Sequence, residues 1–336
     1  MTDNAGTLFT AFLNKHDEQA WDRVVTSLLH SINEVDRTAT RIWFAFFPLA
    51  LVRALETADD PAKLAARLLL QGRYLLEDQI DSSHTFLYGH RYWPEVKKGV
   101  ERHALSGAAP SSLDLAAQIR EIAGQVASEI RIDPSLVVGI TAAGFMTLQQ
   151  AGLPAFQAAS GTVERAKRTR SAAEVLKGRT KDDSQGPLGF LRGDRKIWTV
   201  TFDESEKGSR FKLIDTQHLT TAAANDKRDY HTRDPRCVVR EGPIPVQCRN
   251  AACGTCWVGV LGGAEKLSPA APLESRKIKE FGYIDTDEQT PIIRLACQAQ
   301  GHGAVSIVIP PWNGVFGRYL RGLKTEGEET NSNVKP

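Results

Sequence analysis

The sequence lacks an excess of charge of either sign. Its 42 Lys and Arg stand against 40 Asp and Glu, a formal net charge of +2 over 336 residues. That balance excludes nucleic-acid binding driven by bulk positive charge. Long hydrophobic runs are missing too. The longest, Ile42 to Val52, is bounded by Arg41 and Arg53 and falls well short of the ~20 residues that span a bilayer. It reads as a buried helix kinked near Pro48, and no membrane span is expected. The first residues carry no basic patch followed by an apolar stretch, so no secretory signal is expected. No Gly-x-Gly-x-x-Gly follows a strand-like run, which removes the plainest nicotinamide or flavin site. Internal repeats are absent, and cysteine is scarce at five residues.

Four of those five fall into one pattern. Cys248-Arg-Asn-Ala-Ala-Cys253-Gly-Thr-Cys256 places three thiols at C-x4-C-x2-C spacing, and Cys297 lies further along. This is the ligand spacing of a plant-type [2Fe–2S] site. Only a loop wrapped round a compact centre brings three side chains so spaced to one place. The small residues Ala251, Ala252, Gly254 and Thr255 let backbone N–H groups approach the sulfurs. Zinc and thiol–disulfide chemistry also use Cys-x-x-Cys. A structural zinc site, however, more usually shows two such pairs or paired histidines, and no histidine lies between Cys248 and Cys297. Cys237 is left over, and an odd thiol beside a cluster pattern points to a reducing, cytoplasmic interior.

The stretch from about Lys196 to Pro311 resembles the [2Fe–2S] ferredoxin domain, the β-grasp fold of plant-type and adrenodoxin-type ferredoxins. The matching pieces are the opening run Ile197 to Phe202, the loop Cys248 to Cys256, and the closing runs Ile293 to Gln298 and Val305 to Ile309. The resemblance implies a [2Fe–2S] cofactor, with Cys248 and Cys253 holding one iron and Cys256 and Cys297 the other. This chain departs from the family in carrying Ala251 where glycine is frequent, in a polar approach over 225–240, and in a longer interval before Cys297.

The rest of the chain predicts a two-domain protein, an all-α helical bundle followed by an α+β domain. Residues 1–160 hold no cysteine and read as six or seven helices. Trp21, Val24, Val25, Leu28, Leu29 and Ile32 recur at helical spacing behind Asp17 or Asp22, and a run from Ala39 to Glu56 follows. Pro61 opens a segment to Ile80, and a short helix ends at His103. Ser112 or Asp114 caps Leu115 to Ile130, and Asp133-Pro134 starts a last helix through Leu148. Residues 161–193 read as a basic linker with a short helix from Ala172 to Lys177. Residues 194–315 form the ferredoxin-like domain and 316–336 a polar tail. Inside 194–315, strands are expected at Lys196 to Asp203, Phe211 to Asp215, Trp257 to Leu261 and Ala304 to Ile309, with helices at Leu219 to Ala224 and Pro272 to Phe281.

The bundle offers weaker chemistry. Glu77, Asp81 and His84 would share one face of a helix, with carboxylate-x-x-His spacing that reaches a metal, but no second copy exists. His84, His90 and His103 lie near aromatic residues without a Cys-x-x-Cys-His haem attachment. Solvated polar side chains and packed histidines account for both. The expectation is therefore a one-electron transfer protein with a single cluster and no catalytic residues. Its helical domain docks a protein redox partner, a reductase or an oxidoreductase acceptor, or makes an oligomer. The alternatives are a redox-sensing regulator and an oxidoreductase whose helical domain holds its own metal or haem.

Overall fold

The computed structural model describes residues 3–46, 58–63, 79–106, 114–164, 169–181, 196–280 and 290–310. The expected kink at Pro48, Glu77, most of the segment opened by Pro61, Phe281 and the tail lie outside these. The helical region comprises α1 (Asp3–Leu13), α2 (Glu18–Leu28), α3 (Glu34–Phe46), a 3-10 turn (Tyr88–Tyr92), α4 (Trp93–Leu105), α5 (Leu115–Ile130), α6 (Ser135–Ala151) and α7 (Leu153–Ala158). Asp17 and Asp114 are the residues that cap α2 and α5, accepting from Ala20 N at 2.8 Å and Ala117 N at 2.7 Å. In each case the side chain satisfies an amide that the first helical turn leaves unpaired.

Helix α6 organises this region. It is apolar on every side, and every residue from Val137 to Gln150 is buried, as expected of a helix surrounded by others. Helices α1, α3, α4, α5 and α7 pack around it. Gly139 permits the closest of these approaches, since a Cβ there would lie 2.4 Å from Thr40 Oγ1.

The second region is one five-stranded sheet. Its strands β1 (Ile197–Thr201), β2 (Arg210–Ile214), β3 (Trp257–Gly262), β4 (Ile293–Leu295) and β5 (Val305–Val308) lie in the order β2-β1-β5-β3-β4. β1 runs antiparallel to β2 and parallel to β5, while β3 runs antiparallel to both β5 and β4. Two helices pack on it, α9 (Leu219–Ala223) against β2 and α10 (Pro272–Glu280) against β4. The architecture is therefore two-domain, all-α followed by α+β, as the sequence predicts.

Between the two regions lies α8 (Ala172–Thr180), longer than the short helix expected there and opened by a capping box at Ser171 and Glu174. The sequence presents this stretch as a basic linker, yet Arg179 faces inward. It donates to Val35 O at 2.7 Å and grips Glu204 through Nε and Nη2 at 2.7 and 2.8 Å. Glu204 also accepts from Ser306 Oγ at 2.6 Å. One ion pair thus ties α3, α8, the loop after β1 and β5 together. Alongside it, Ile42 of α3 presses on β3 at Gly259, where an added Cβ would lie 2.5 Å from Ile42 Cγ2. Helical region and sheet share one continuous apolar core.

Candidate metal centre

Sheet geometry begins to gather the thiols. Because β3 and β4 pair with Trp257 opposite Leu295, Cys256 just before β3 meets Cys297 just after β4. Ala296 N donates to Cys256 O at 3.0 Å across that pair. Cys256 and Cys297 are buried, while Cys248 and Cys253 are half-buried. The strand that carries Cys297 is braced from beneath. Arg294, itself buried, makes two bonds to the buried Glu274 of α10 at 2.9 and 3.0 Å, and the same carboxylate accepts from Leu295 N at 2.7 Å.

The loop before β3 supplies the other sulfurs. Its long approach is tied to the sheet by arginines: Arg228 donates to Gly208 O and Arg210 O at 2.7 and 3.0 Å, and Arg236 reaches Pro310 O at 2.6 Å. Gly242 passes over the end of α9 at φ +87°, where a Cβ would fall 2.0 Å from Ala223 O; only glycine fits. From Cys248 on, the backbone reverses repeatedly. Arg249, Ala251 and Gly254 have φ of 58°, 64° and 67°. Ala251, where related loops often carry glycine, accepts this left-handed conformation at a cost of about 1 kcal/mol. Alternation of this kind points successive N–H groups inward and makes a concave site for negative charge.

Those amides are aimed at sulfur. Cys253 N donates to Cys248 Sγ at 3.3 Å. Thr255 offers Cys253 Sγ both its amide at 3.5 Å and its hydroxyl at 3.1 Å, and Gln298 Nε2 reaches Cys297 Sγ at 3.4 Å. Burial pushes the Cys248 thiol up, but the amides of Asn250, Cys253 and Ala252 together bring it below its ordinary value. The Cys256 thiol donates to Cys297, which lowers Cys297 to about 6 with help from Gln298 and the Ala251 amide, and drives Cys256 well above 9.0. Thiol hydrogen bonds therefore join Cys248 to Cys253 and Cys256 to Cys297, and between these pairs Cys253 acts on Cys256 through charge alone.

The chemistry of the donor set, thiols met by N–H donors, suits an iron–sulfur cluster. Among the described residues, no three Cys, His, Asp or Glu side chains are gathered as a one-ion site requires. Two thiols at each of two irons need no such triplet, and charged sulfur surrounded by N–H donors suits a cluster held by thiolates. Cys237 takes no part. It is buried, donates to Pro243 O at 3.3 Å, and is pushed up to about 12 by burial. Arg249, beside the first thiol, is exposed and paired with Glu241 at 2.8 Å.

The helical region's candidates are dispersed by comparison. Asp81 and His84 lie in successive turns rather than on one helical face. Asp81 accepts from Trp93 Nε1 at 2.7 Å and from Ser160 Oγ and Gly161 N at 2.9 Å. His84 spends its ring nitrogens on Ile80 O at 3.0 Å and His90 Nδ1 at 2.8 Å. His103 packs separately, between Phe9 and Phe145. Sequence reasoning missed Glu274 and Gln298 as supports of Cys297. Arg294, a charge inside an otherwise apolar strand, was the available signal for a buried partner.

Residues 238–300 match the family described as the 2Fe-2S iron-sulfur cluster binding domain. The C-terminal region is thus a ferredoxin-type domain, and its cofactor is a [2Fe–2S] cluster. No curated protein and no solved structure matches the chain. No helix among the described residues is long and apolar enough to cross a membrane.

Proposed function

We propose that Cys248, Cys253, Cys256 and Cys297 are the cluster's four ligands, the first two at one iron and the last two at the other. On this reading the chain carries a single cluster and serves as a one-electron carrier between protein partners. The cluster, when bound by four thiolates, supplies a one-electron couple with no coordination position open to substrate. The chain's own residues do the rest. The amides of Ala251 and Cys253, with Thr255 and Gln298, stabilise negative sulfur. Burial of Cys256 and Cys297 keeps water from one side. Half-exposed Cys248 and Cys253 leave the other side open to a partner. The helical region, fastened to the sheet through Arg179 and Ile42, orients that partner or a second copy. The domain is taken as 194–315, because β1 and β5 flank the matched span on either side. A reducing cytoplasm suits the unpaired, buried Cys237.

The observation that carries this reading is the two hydrogen-bonded thiol pairs, Cys248 with Cys253 and Cys256 with Cys297, with N–H donors aimed at their sulfurs. Metal and sulfide analysis of anaerobically purified protein should give two irons and two sulfides per chain, with reversible one-electron reduction. Cys297→Ala should abolish the visible absorption, whereas Cys237→Ala should leave it intact. Full absorption in Cys297→Ala would sink the assignment.

A further inference from the structure

A cleft of about 180 Å³ opens where the helical region, α8 and the sheet meet. Its walls are mixed: Phe86 and Leu87 from one side and Phe202 and Ile307 from the other give apolar surface, Asp203, Glu204 and Ser205 give polar surface, and two guanidinium groups, Arg91 and Arg170, also line it. Arg91 lies flat on the Tyr88 ring, its carbon 3.5 Å from the ring centre. Its Nε donates to Tyr88 O at 3.1 Å and its Nη1 to Arg170 O at 2.9 Å, which fixes the group, and Nη2 makes no hydrogen bond among the described residues. Arg170 donates through Nη2 to the Glu204 carbonyl, and its Nη1 makes no hydrogen bond among the described residues. The carboxylates nearby are engaged. Glu204 is neutralised by Arg179, and Asp203, at the exposed rim, accepts from Ser205 N and Oγ at 2.8 and 2.6 Å.

Beside its apolar side chains the cleft therefore holds two guanidinium groups against one carboxylate without a cationic partner among the described residues, Asp203 at the rim, and has guanidinium N–H donors to spare. We infer that it binds a small carboxylate with an apolar body about the size of one aromatic ring, the carboxylate on Arg91 and Arg170 and the ring between Phe86 and Phe202. The volume sets that limit, since an apolar cavity of about 150 Å³ holds a benzene molecule. Guanidinium selects carboxylate over other polar groups through paired, charge-assisted hydrogen bonds. Because both regions form the walls, such a ligand binds only the assembled joint and stabilises it by mass action. This site is separate from the thiols and does not depend on what the cluster does.

Calorimetric titration of the full, cluster-loaded chain with benzoate, benzamide and benzamidine tests it, since the three share a shape and differ in charge. Benzoate should bind, benzamide at least about tenfold more weakly, and benzamidine not measurably, since a hydrogen bond to a charged group is worth roughly 1.5–3 kcal/mol. Arg91→Gln should weaken benzoate about tenfold and change benzamide little. Val175→Phe, which fills the cleft from α8, should remove both. Arg170→Gln provides the same anion-selective loss if Arg91→Gln does not fold, with the visible spectrum reporting an intact protein. Equal binding of all three, no heat from benzoate at millimolar concentration, or unchanged benzoate affinity in a folded arginine variant would overturn the proposal.

Discussion

The two regions each bury a carboxylate, and they treat it oppositely. In the sheet, Glu274 is met by Arg294 in a two-bond pair, with both side chains essentially removed from water. In the helical region, Asp36 is just as buried but receives only the amides of Tyr88 and Gly89, at 2.6 and 2.7 Å. Burial pushes Asp36 from 3.8 to about 6 despite those amides and the nearby Arg179, and Glu204 adds to the rise. A paired charge holds one geometry across the pH range, whereas an amide-held carboxylate changes state within it. The pair sits under the strand that leads to Cys297; the titrating group sits where α3 meets the turn that opens α4. Rigidity is placed beneath the thiols, and pH sensitivity is placed away from them.

The largest effect should come from breaking the pair. Glu274→Ala strands the Arg294 guanidinium in the core and removes the acceptor of Leu295 N, which should cost about 3–5 kcal/mol. Urea unfolding followed by circular dichroism measures it, and the cluster's visible absorption should bleach faster on air exposure. If Glu274→Ala lost less than about 1 kcal/mol, the contrast between the two carboxylates would have no energetic content.

Asp36→Asn sharpens the other side. A carboxylate whose folded pKa is raised stabilises the fold most below its unfolded value, and that contribution is lost as pH rises through the folded value. Between about pH 3 and pH 7 the native chain should therefore lose about 3 kcal/mol relative to Asp36→Asn, the equivalent of moving from 3.8 to about 6. The absolute stability of Asp36→Asn is less informative, because an amide cannot accept both N–H bonds. Its pH slope is the diagnostic, read from urea midpoints at a series of pH values. A constant difference between the two proteins across that range would remove Asp36 as the titrating group.

The sequence exposes some of this arrangement and hides the rest, for physical reasons. The cap residues Asp17 and Asp114 and the strands at Ile197 and Trp257 are written in local pattern, because each depends on neighbours a few residues away. The four thiols are legible because three of them stand at the short spacing that cluster ligation requires. Arg179 is different: in a stretch that also holds Arg165, Lys167, Arg168 and Lys177, nothing local distinguishes it as a basic side chain that turns inward to the Glu204 carboxylate. Arg294 and Glu274 are likewise twenty residues apart, and only the folded sheet makes them partners. Asp81 and His84 mislead for the opposite reason. Their spacing suits one helical face, but the chain there forms turns, and Trp93 and His90 claim the side chains separately.

The smallest change should separate potential from stability. Thr255→Val keeps the shape of the side chain beside Cys253 and deletes the hydroxyl that donates to its sulfur at 3.1 Å. That bond strengthens as negative charge on sulfur grows, so it favours the reduced cluster, and its loss should lower the reduction potential. One hydrogen bond of about 1 kcal/mol corresponds to about 40 mV for a one-electron couple. The fold should change by less than the pH-dependent loss at Asp36, since the Thr255 amide remains. Potentiometric titration of Thr255→Val beside Asp36→Asn then gives a crossed result, one variant moving the potential and the other moving the pH slope of stability. A shifted potential in Asp36→Asn would mean that the helical region reaches the cluster electrostatically, and that the separation drawn between the two carboxylates is incomplete.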